Sequence, residues 1–100
     1  MSIIITTHAK KRAKERLGIG KNLTVKLAEK ALTYGLTHSD TKGSLKRYCD
    51  KIYLSHRKAN NIRIYNRKIF VFKDSILITI INLPNNLSNI ADSIQNNMKG

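Results

Sequence analysis

The chain has 100 residues, 41% of them hydrophobic, and carries 19 Lys and Arg against 6 Asp and Glu, a formal charge of +13. That length closes one small core and excludes a two-domain enzyme or a large barrel. The charge lies well outside the range of an ordinary small domain and points to a polyanion: RNA, DNA, an acidic protein or an anionic membrane surface.

A single cysteine, Cys49, excludes an intrachain disulfide and a cysteine-built zinc site, and fits a buried thiol in a reducing cytoplasm. The run Ile3–Ile5 is too short for a signal peptide and no basic segment precedes it. The longest apolar stretch, Ile76 to Leu83, is broken by Thr79 and Asn82 and is far short of a membrane span. These features predict a cytoplasmic protein with no membrane partner.

In chain order, Ile3–Ile5 reads as a short strand or a hydrophobic staple. Thr7 then caps a helix over His8 to Leu17, with Ala9, Ala13 and Leu17 as a narrow apolar stripe and Gly18 as its stop. Asn22 or Thr24 caps a second helix through Tyr34. Leu27, Ala31 and Tyr34 share one of its faces, Gly35 ends it, and Leu36 folds back over the end. After a polar loop, Ser44 caps a third helical segment in which Leu45, Tyr48, Cys49, Ile52 and Tyr53 keep the helical period.

Beyond the basic connection His56 to Asn61 the period becomes two. Ile62 and Ile64 alternate with Arg63 and Tyr65, Asn66-Arg67 turns the chain, and Ile69 to Phe72 forms the next strand. Asp74-Ser75 turns it again into Ile76 to Ile81, giving an antiparallel meander. The last two strands are apolar on both faces, so helices cover much of the sheet. Pro84 ends the last strand, and Leu87, Ile90, Ala91, Ile94 and Met98 allow an asparagine-rich terminal helix of low intrinsic stability. The expected fold is α+β: three N-terminal helices against a three- or four-stranded antiparallel sheet. It forms one basic domain over residues 1–100, with 85–100 as a peripheral segment.

Positive charge is confined to the first three quarters. Residues 1–73 hold 18 Lys and Arg against 4 Asp and Glu, a net of +14, whereas residues 74–100 have a net of −1. Within that region His8, Arg12 and Arg16 repeat every four residues on one helix face, beside Lys11 and Glu15. Such a face grips phosphates through forked guanidinium contacts, or is simply solvated. At the helix start, free N–H groups around His8 favour an anion over an imidazolium.

Arg63, Tyr65, Arg67 and Lys68 form a second group. On an open sheet face the tyrosine would stack on a base while the arginines hold phosphate; the plainer role is cross-strand pairing. His56, Arg57 and Lys58 form a third, which is a solvated loop or a backbone contact. His38, Ser39 and Asp40 are the residue types of a hydrolase triad, but they lack the strand–nucleophile–helix turn. No nucleotide loop, paired metal carboxylates or cysteine–histidine cluster is present, so no cofactor or metal is implied.

A metal-independent ribonuclease needs a group to take the 2′-hydroxyl proton, one to protonate the departing 5′-oxygen, and cations around the pentavalent phosphate. His8 or His56, Tyr65, and Arg12, Arg16, Arg63 and Arg67 supply that inventory, as basic binding proteins also do.

The opening Ile5-Thr6-Thr7-His8-Ala9-Lys10-Lys11-Arg12-Ala13-Lys14-Glu15-Arg16-Leu17-Gly18-Ile19 resembles the H-A-x-x-R-x-x-x-R start of small bacterial and phage proteins distantly similar to RelE-type toxins. The likeness spans about residues 3–84, through Ala31-Leu32-Thr33-Tyr34-Gly35 and the strands Asn61–Tyr65, Lys68–Lys73 and Ile76–Leu83. The resemblance implies N-terminal helices on an antiparallel sheet. It also implies metal-independent cleavage of messenger RNA, often on the ribosome, by dispersed Lys, Arg, Tyr and sometimes His residues. His8, Arg12 and Arg16 match the motif, while Arg63, Tyr65 and Arg67 match in chemical type and approximate sheet position. The helix at Leu45–Leu54 is additional to a minimal RelE arrangement, and Leu77-Ile78-Thr79-Ile80-Ile81 carries none of the basic or aromatic residues often found late in active toxins.

These observations give a leading expectation of RNA binding with metal-independent cleavage. His8, Arg63, Tyr65 and Arg67 would be catalytic, and Lys11, Arg12, Arg16, His56, Arg57, Lys58 and Lys68 would contact RNA. A toxin of this kind has RNA or the ribosome as target and an acidic antitoxin as partner. The alternative is a non-enzymatic phage or mobile-element protein that binds a host nucleoprotein or acidic protein.

Overall fold

Thr6 fixes the start of the fold. Its backbone is extended, its hydroxyl accepts the Ala9 N–H at 3.0 Å, and the same hydroxyl donates toward the carbonyls of Leu77 and Ile78 at 3.2 and 3.1 Å. It is the N-cap in place of Thr7, which is already helical, because only Thr6 has both the extended backbone and the reach to Ala9. A computed structural model describes the backbone of residues 3–99 and the side chains of residues 3–96. Its elements are β1 (Ile4–Ile5), α1 (Thr7–Leu17), α2 (Lys21–Tyr34), a 3-10 turn (His38–Asp40), α3 (Gly43–Ser55), β2 (Asn61–Tyr65), β3 (Lys68–Lys73), β4 (Ile76–Asn82) and α4 (Asn85–Lys99).

Two further helix starts differ from expectation. Gly20, not Asn22 or Thr24, is the N-cap of α2, and the buried Thr24 returns its hydroxyl to the Gly20 carbonyl at 2.7 Å. Lys42, not Ser44, precedes α3, which opens on Gly43 at φ +60°. The stop at Gly18 is as expected: it is left-handed at φ +66° and donates to the Lys14 carbonyl at 3.0 Å.

The sheet order is β1-β4-β3-β2. β2, β3 and β4 form the antiparallel meander, with left-handed Asn66 and Arg67 in the two-residue turn between β2 and β3. The sheet is mixed rather than purely antiparallel, because β1 joins β4 in parallel through Ile4–Ile76 and Ile5–Leu77. The long excursion through the helices and the meander supplies the crossover that a parallel pair requires. In β4, Phe72 pairs with Leu77 and Val71 with Thr79, so Ile78 is an extra, bulged residue. The bulge reverses the alternation, so that Leu77 and Ile80 both face the α1–α2 layer.

Helices cover both faces of the sheet. Ala9 and Ala13 of α1 and Ala28 and Ala31 of α2 pack on Phe70, Phe72, Leu77 and Ile80. On the other side Leu45, Cys49 and Ile52 of α3 and Leu87 and Ala91 of α4 pack on Ile62, Ile64, Ile69 and Val71. The terminal segment is therefore an integral layer and not peripheral: burying Leu87 and Ala91 stabilises a helix whose asparagines give it little intrinsic propensity. Met98, expected on its apolar stripe, lies outside the described side chains. No described helix is long and apolar enough to cross a membrane.

Gly35 allows α2 to end hard against the sheet. Its N–H reaches the Ala31 carbonyl at 2.9 Å, and Leu36 then exchanges two backbone hydrogen bonds with Ile64, at 2.8 and 2.9 Å. A Cβ at position 35 would stand 2.5 Å from the Ala31 oxygen and 3.1 Å from that of Ile64. Gly35→Ala should therefore destabilise the fold by about 1–3 kcal/mol, read as a lower denaturant midpoint at unchanged slope; an unchanged midpoint would show that the chain passes β2 more loosely.

Cys49 is fully buried, and burial, followed by the neighbouring Asp50 carboxylate, pushes its thiol up to about 11 from 9.0. Above about pH 9 the unfolded chain releases this proton while the folded one keeps it, so stability falls as pH rises toward about 11. The expected loss is on the order of 2–3 kcal/mol over that window. It should appear as a difference in the pH slope of unfolding between wild type and Cys49→Ala; parallel slopes would contradict it.

Candidate nucleic-acid interface

The arginines of the opening motif have unequal surroundings. His8 is exposed in the first turn of α1, and its Nε2 accepts from Arg12 Nε at 3.4 Å. Arg12 Nη1 lies 3.2 Å from Glu15, and Lys11 is exposed. Arg16 turns inward, and its Nη1 donates to the Ile80 carbonyl at 2.6 Å, on the edge of β4 that β1 is too short to cover. Arg16 thus satisfies a strand edge that would otherwise be open to pairing.

The open sheet face expected for Arg63 and Tyr65 is not there. Alternation puts both on the side of Phe70 and Phe72, and α2 covers that side. Arg63 Nη1 donates to the Leu32 carbonyl at 2.7 Å and its Nε to Asn61 Oδ1 at 3.2 Å, so it closes the C-terminal end of α2. Tyr65 is half-buried against the α1–α2 core. Lys68, paired with Tyr65 across the strands, is also half-buried. His56 ends α3, with Arg57 and Lys58 exposed in the turn after it.

The histidines and Tyr65 do not converge. α1 starts at Leu77 and Ile78, near the beginning of β4, whereas Tyr65 pairs with Lys68, which pairs with Asn82 at its end. Five residues along a strand and two strands across separate them, roughly 15–20 Å. His56 belongs to the opposite helical layer.

What does converge is a groove at the β2 edge of the sheet, where α2 and α4 meet from opposite layers. Its volume is about 940 Å³. Leu36, Ile64 and Ala91 form its apolar floor; Lys30 and Tyr34 stand on the α2 wall; Tyr65, Asn66 and Arg67 come from β2 and its turn. Asp92, Gln95 and Asn96 form the α4 wall. Gln95 donates to the Tyr34 carbonyl at 3.1 Å and ties the two walls together. Arg67 donates through Nε and Nη2 to one oxygen of Asp92, at 3.1 and 2.8 Å.

Of the residues singled out in the sequence, Tyr65 and Arg67 line this groove; Lys30, Tyr34, Asn66, Gln95 and Asn96 join them without having been singled out. Tyr34 reads as part of the apolar face of α2, yet it is 62% exposed, because the helix ends there and the face turns into solvent. An aromatic residue immediately before a helix-ending glycine was the available signal. Exposed tyrosine offers a stacking plane, Lys30 and Arg67 offer phosphate contacts, and the amides offer paired donors and acceptors for base edges. Among the described residues no group of three or more His, Cys, Asp or Glu is placed to hold a metal ion.

Because Arg63 bonds to the end of α2, Arg63→Met should cost about 2 kcal/mol of folding stability, read as a lower urea midpoint. An unchanged midpoint would show that the bond to the Leu32 carbonyl does not hold the end of α2. No protein-family model, curated protein or solved structure matches the chain.

Proposed function

We propose that the protein binds single-stranded RNA, with the groove between α2 and α4 as its recognition site. The observation that carries this reading is the meeting of Lys30 and Tyr34 of α2 with Tyr65 of β2 and Arg67 of the following turn, on a chain of charge +13. An unstacked base lies on Tyr34, the amides of Asn66, Gln95 and Asn96 meet its edge, and the flanking phosphates meet Lys30 and Arg67. Lys26, one turn before Lys30 and exposed, extends the positive surface along α2. Lys11 and Arg12 extend it on α1.

The RelE-type resemblance adds metal-independent cleavage, on the ribosome or on free RNA, and an acidic antitoxin as partner. Along residues 3–84, α1, α2 and the β2–β4 meander follow the order it implies, while α3 and the parallel β1 are additional to it. In such a cut the 2′-oxygen bonds to phosphorus as its proton leaves, and the bond to the 5′-oxygen breaks as that oxygen is protonated. Tyr65, beside Tyr34 and Asp92, is a group in the groove able to exchange a proton, and Arg67, exchanging Asp92 for phosphate, stabilises the charge. The distance of His8 and His56 from the groove favours the second reading, a phage or mobile-element module that binds a nucleoprotein without cutting.

The test is binding and cleavage of 5′-labelled RNA in EDTA, with and without ribosomes. The logarithm of the affinity should fall linearly with the logarithm of salt concentration, and Tyr34→Ala should weaken binding about tenfold or more. Products ending in 2′,3′-cyclic phosphate and lost in Tyr65→Phe would establish cleavage. Binding without products would select the non-enzymatic module. Affinity indifferent to salt and to Tyr34→Ala would remove the groove as the site.

A further inference from the structure

α3 carries an outward surface that the groove does not use. Lys46, Arg47 and Lys51 are exposed along it, and Arg57 and Lys58 continue it in the following turn. The acidic residue on this helix is Asp50, and its carboxylate is turned to His38, at 2.5 Å from Nε2, rather than to any of the neighbouring cations. His38 is held for this contact from two sides: Tyr53 packs edge-on at a ring separation of 5.4 Å, and Thr41 donates to the His38 carbonyl at 2.6 Å. The five cations therefore face solvent, and no described acidic side chain pairs with any of them.

This surface is electrostatically separate from that of α1 and α2. α3 packs on the Ile62, Ile64, Ile69 and Val71 side of the sheet, and α1 and α2 pack on the Phe70 and Phe72 side, so the outer faces of the two layers point in opposite directions. Even the shortest principal extent of the Cα trace is 25 Å. That is about three Debye lengths at physiological salt, so a phosphate bound on one layer leaves the potential of the other nearly unchanged. No residue of α3 or of the turn after it lines the groove, so a single unstacked strand there leaves these cations open.

We propose that the α3 surface is a second nucleic-acid-binding face, through which one molecule joins two RNA segments. The proposal rests on the RNA-binding reading of the groove. The second face is recognised by charge alone: it offers five cations and no exposed aromatic side chain, so it takes phosphate backbone without regard to base.

The experiment mixes donor-labelled and acceptor-labelled oligo(U) with the full chain and reads both energy transfer between the RNAs and the anisotropy of the donor RNA. Size-exclusion chromatography without RNA establishes that the protein is monomeric at the concentration used. Wild type should bind and produce transfer. The triple variant Lys46→Gln, Arg47→Gln, Lys51→Gln alters only exposed positions and should keep donor binding within about threefold while losing transfer and part of the salt dependence. Transfer retained by the triple variant overturns the proposal, as does wild-type binding without transfer. Failure of wild type to bind oligo(U) at all overturns the groove reading as well, and so is distinguishable. Retention of poly-glutamate by wild type but not by the triple variant, with no transfer between RNAs, reassigns the face to an acidic protein.

Discussion

β3 buries four consecutive side chains, Ile69, Phe70, Val71 and Phe72, each almost fully. A strand apolar on both faces is stable only with a helical layer on each side, and that demand governs the rest of the molecule. Alanines bring α1 and α2 close to the phenylalanines, while larger residues of α3 and α4 fill the other face. Two layers on one narrow sheet must also meet somewhere along its rim. They do so beyond β2, where Leu36 takes up the strand's free hydrogen bonds and leaves a recess between the end of α2 and the middle of α4.

Arginine and lysine divide the positive charge between fold and surface. Arg16 serves the β4 edge, Arg63 the end of α2, and Arg67 the contact with α4. Each uses the planar, multiply donating guanidinium where a carbonyl or a carboxylate oxygen needs a fixed partner. Most lysines remain on the outer faces of the helices, where they contribute charge and little geometry. Arg16 and Arg63 are thus taken up by the fold, and the formal charge overstates the number of cations available to a ligand.

Much of the architecture was legible because it follows from periodicity. The stripe Leu45, Cys49, Ile52 predicted α3 and its buried face, the alternation of Ile62 and Ile64 predicted β2, and Gly18 and Gly35 marked helix ends. The parallel docking of β1 was not legible, since two residues of strand carry no pattern and their partner lies more than seventy residues away. The site was legible only in part for a similar reason. Tyr65 and Arg67 belong to a recognisable local group, whereas Lys30, Tyr34 and Gln95 join them only once α2 and α4 have packed from opposite sides. Arg63 shows the reverse case: its residue type suggested a ligand contact, and a carbonyl thirty-one residues earlier takes it up.

The pairing of β1 with β4 also constrains how the chain is made. Thr6 bonds to Leu77 and Ile78, separations of 71 and 72 residues, so β1 has no strand partner, and the Thr6 cap no anchor on the sheet, until β4 exists. During synthesis at about 5–20 residues per second, that wait is roughly 4–14 s. Over this interval α1, whose buried face consists mainly of alanines, has little apolar surface with which to hold itself in place. β1 can therefore join the sheet only once β4 has been made, whereas β2 and β3 can pair before it.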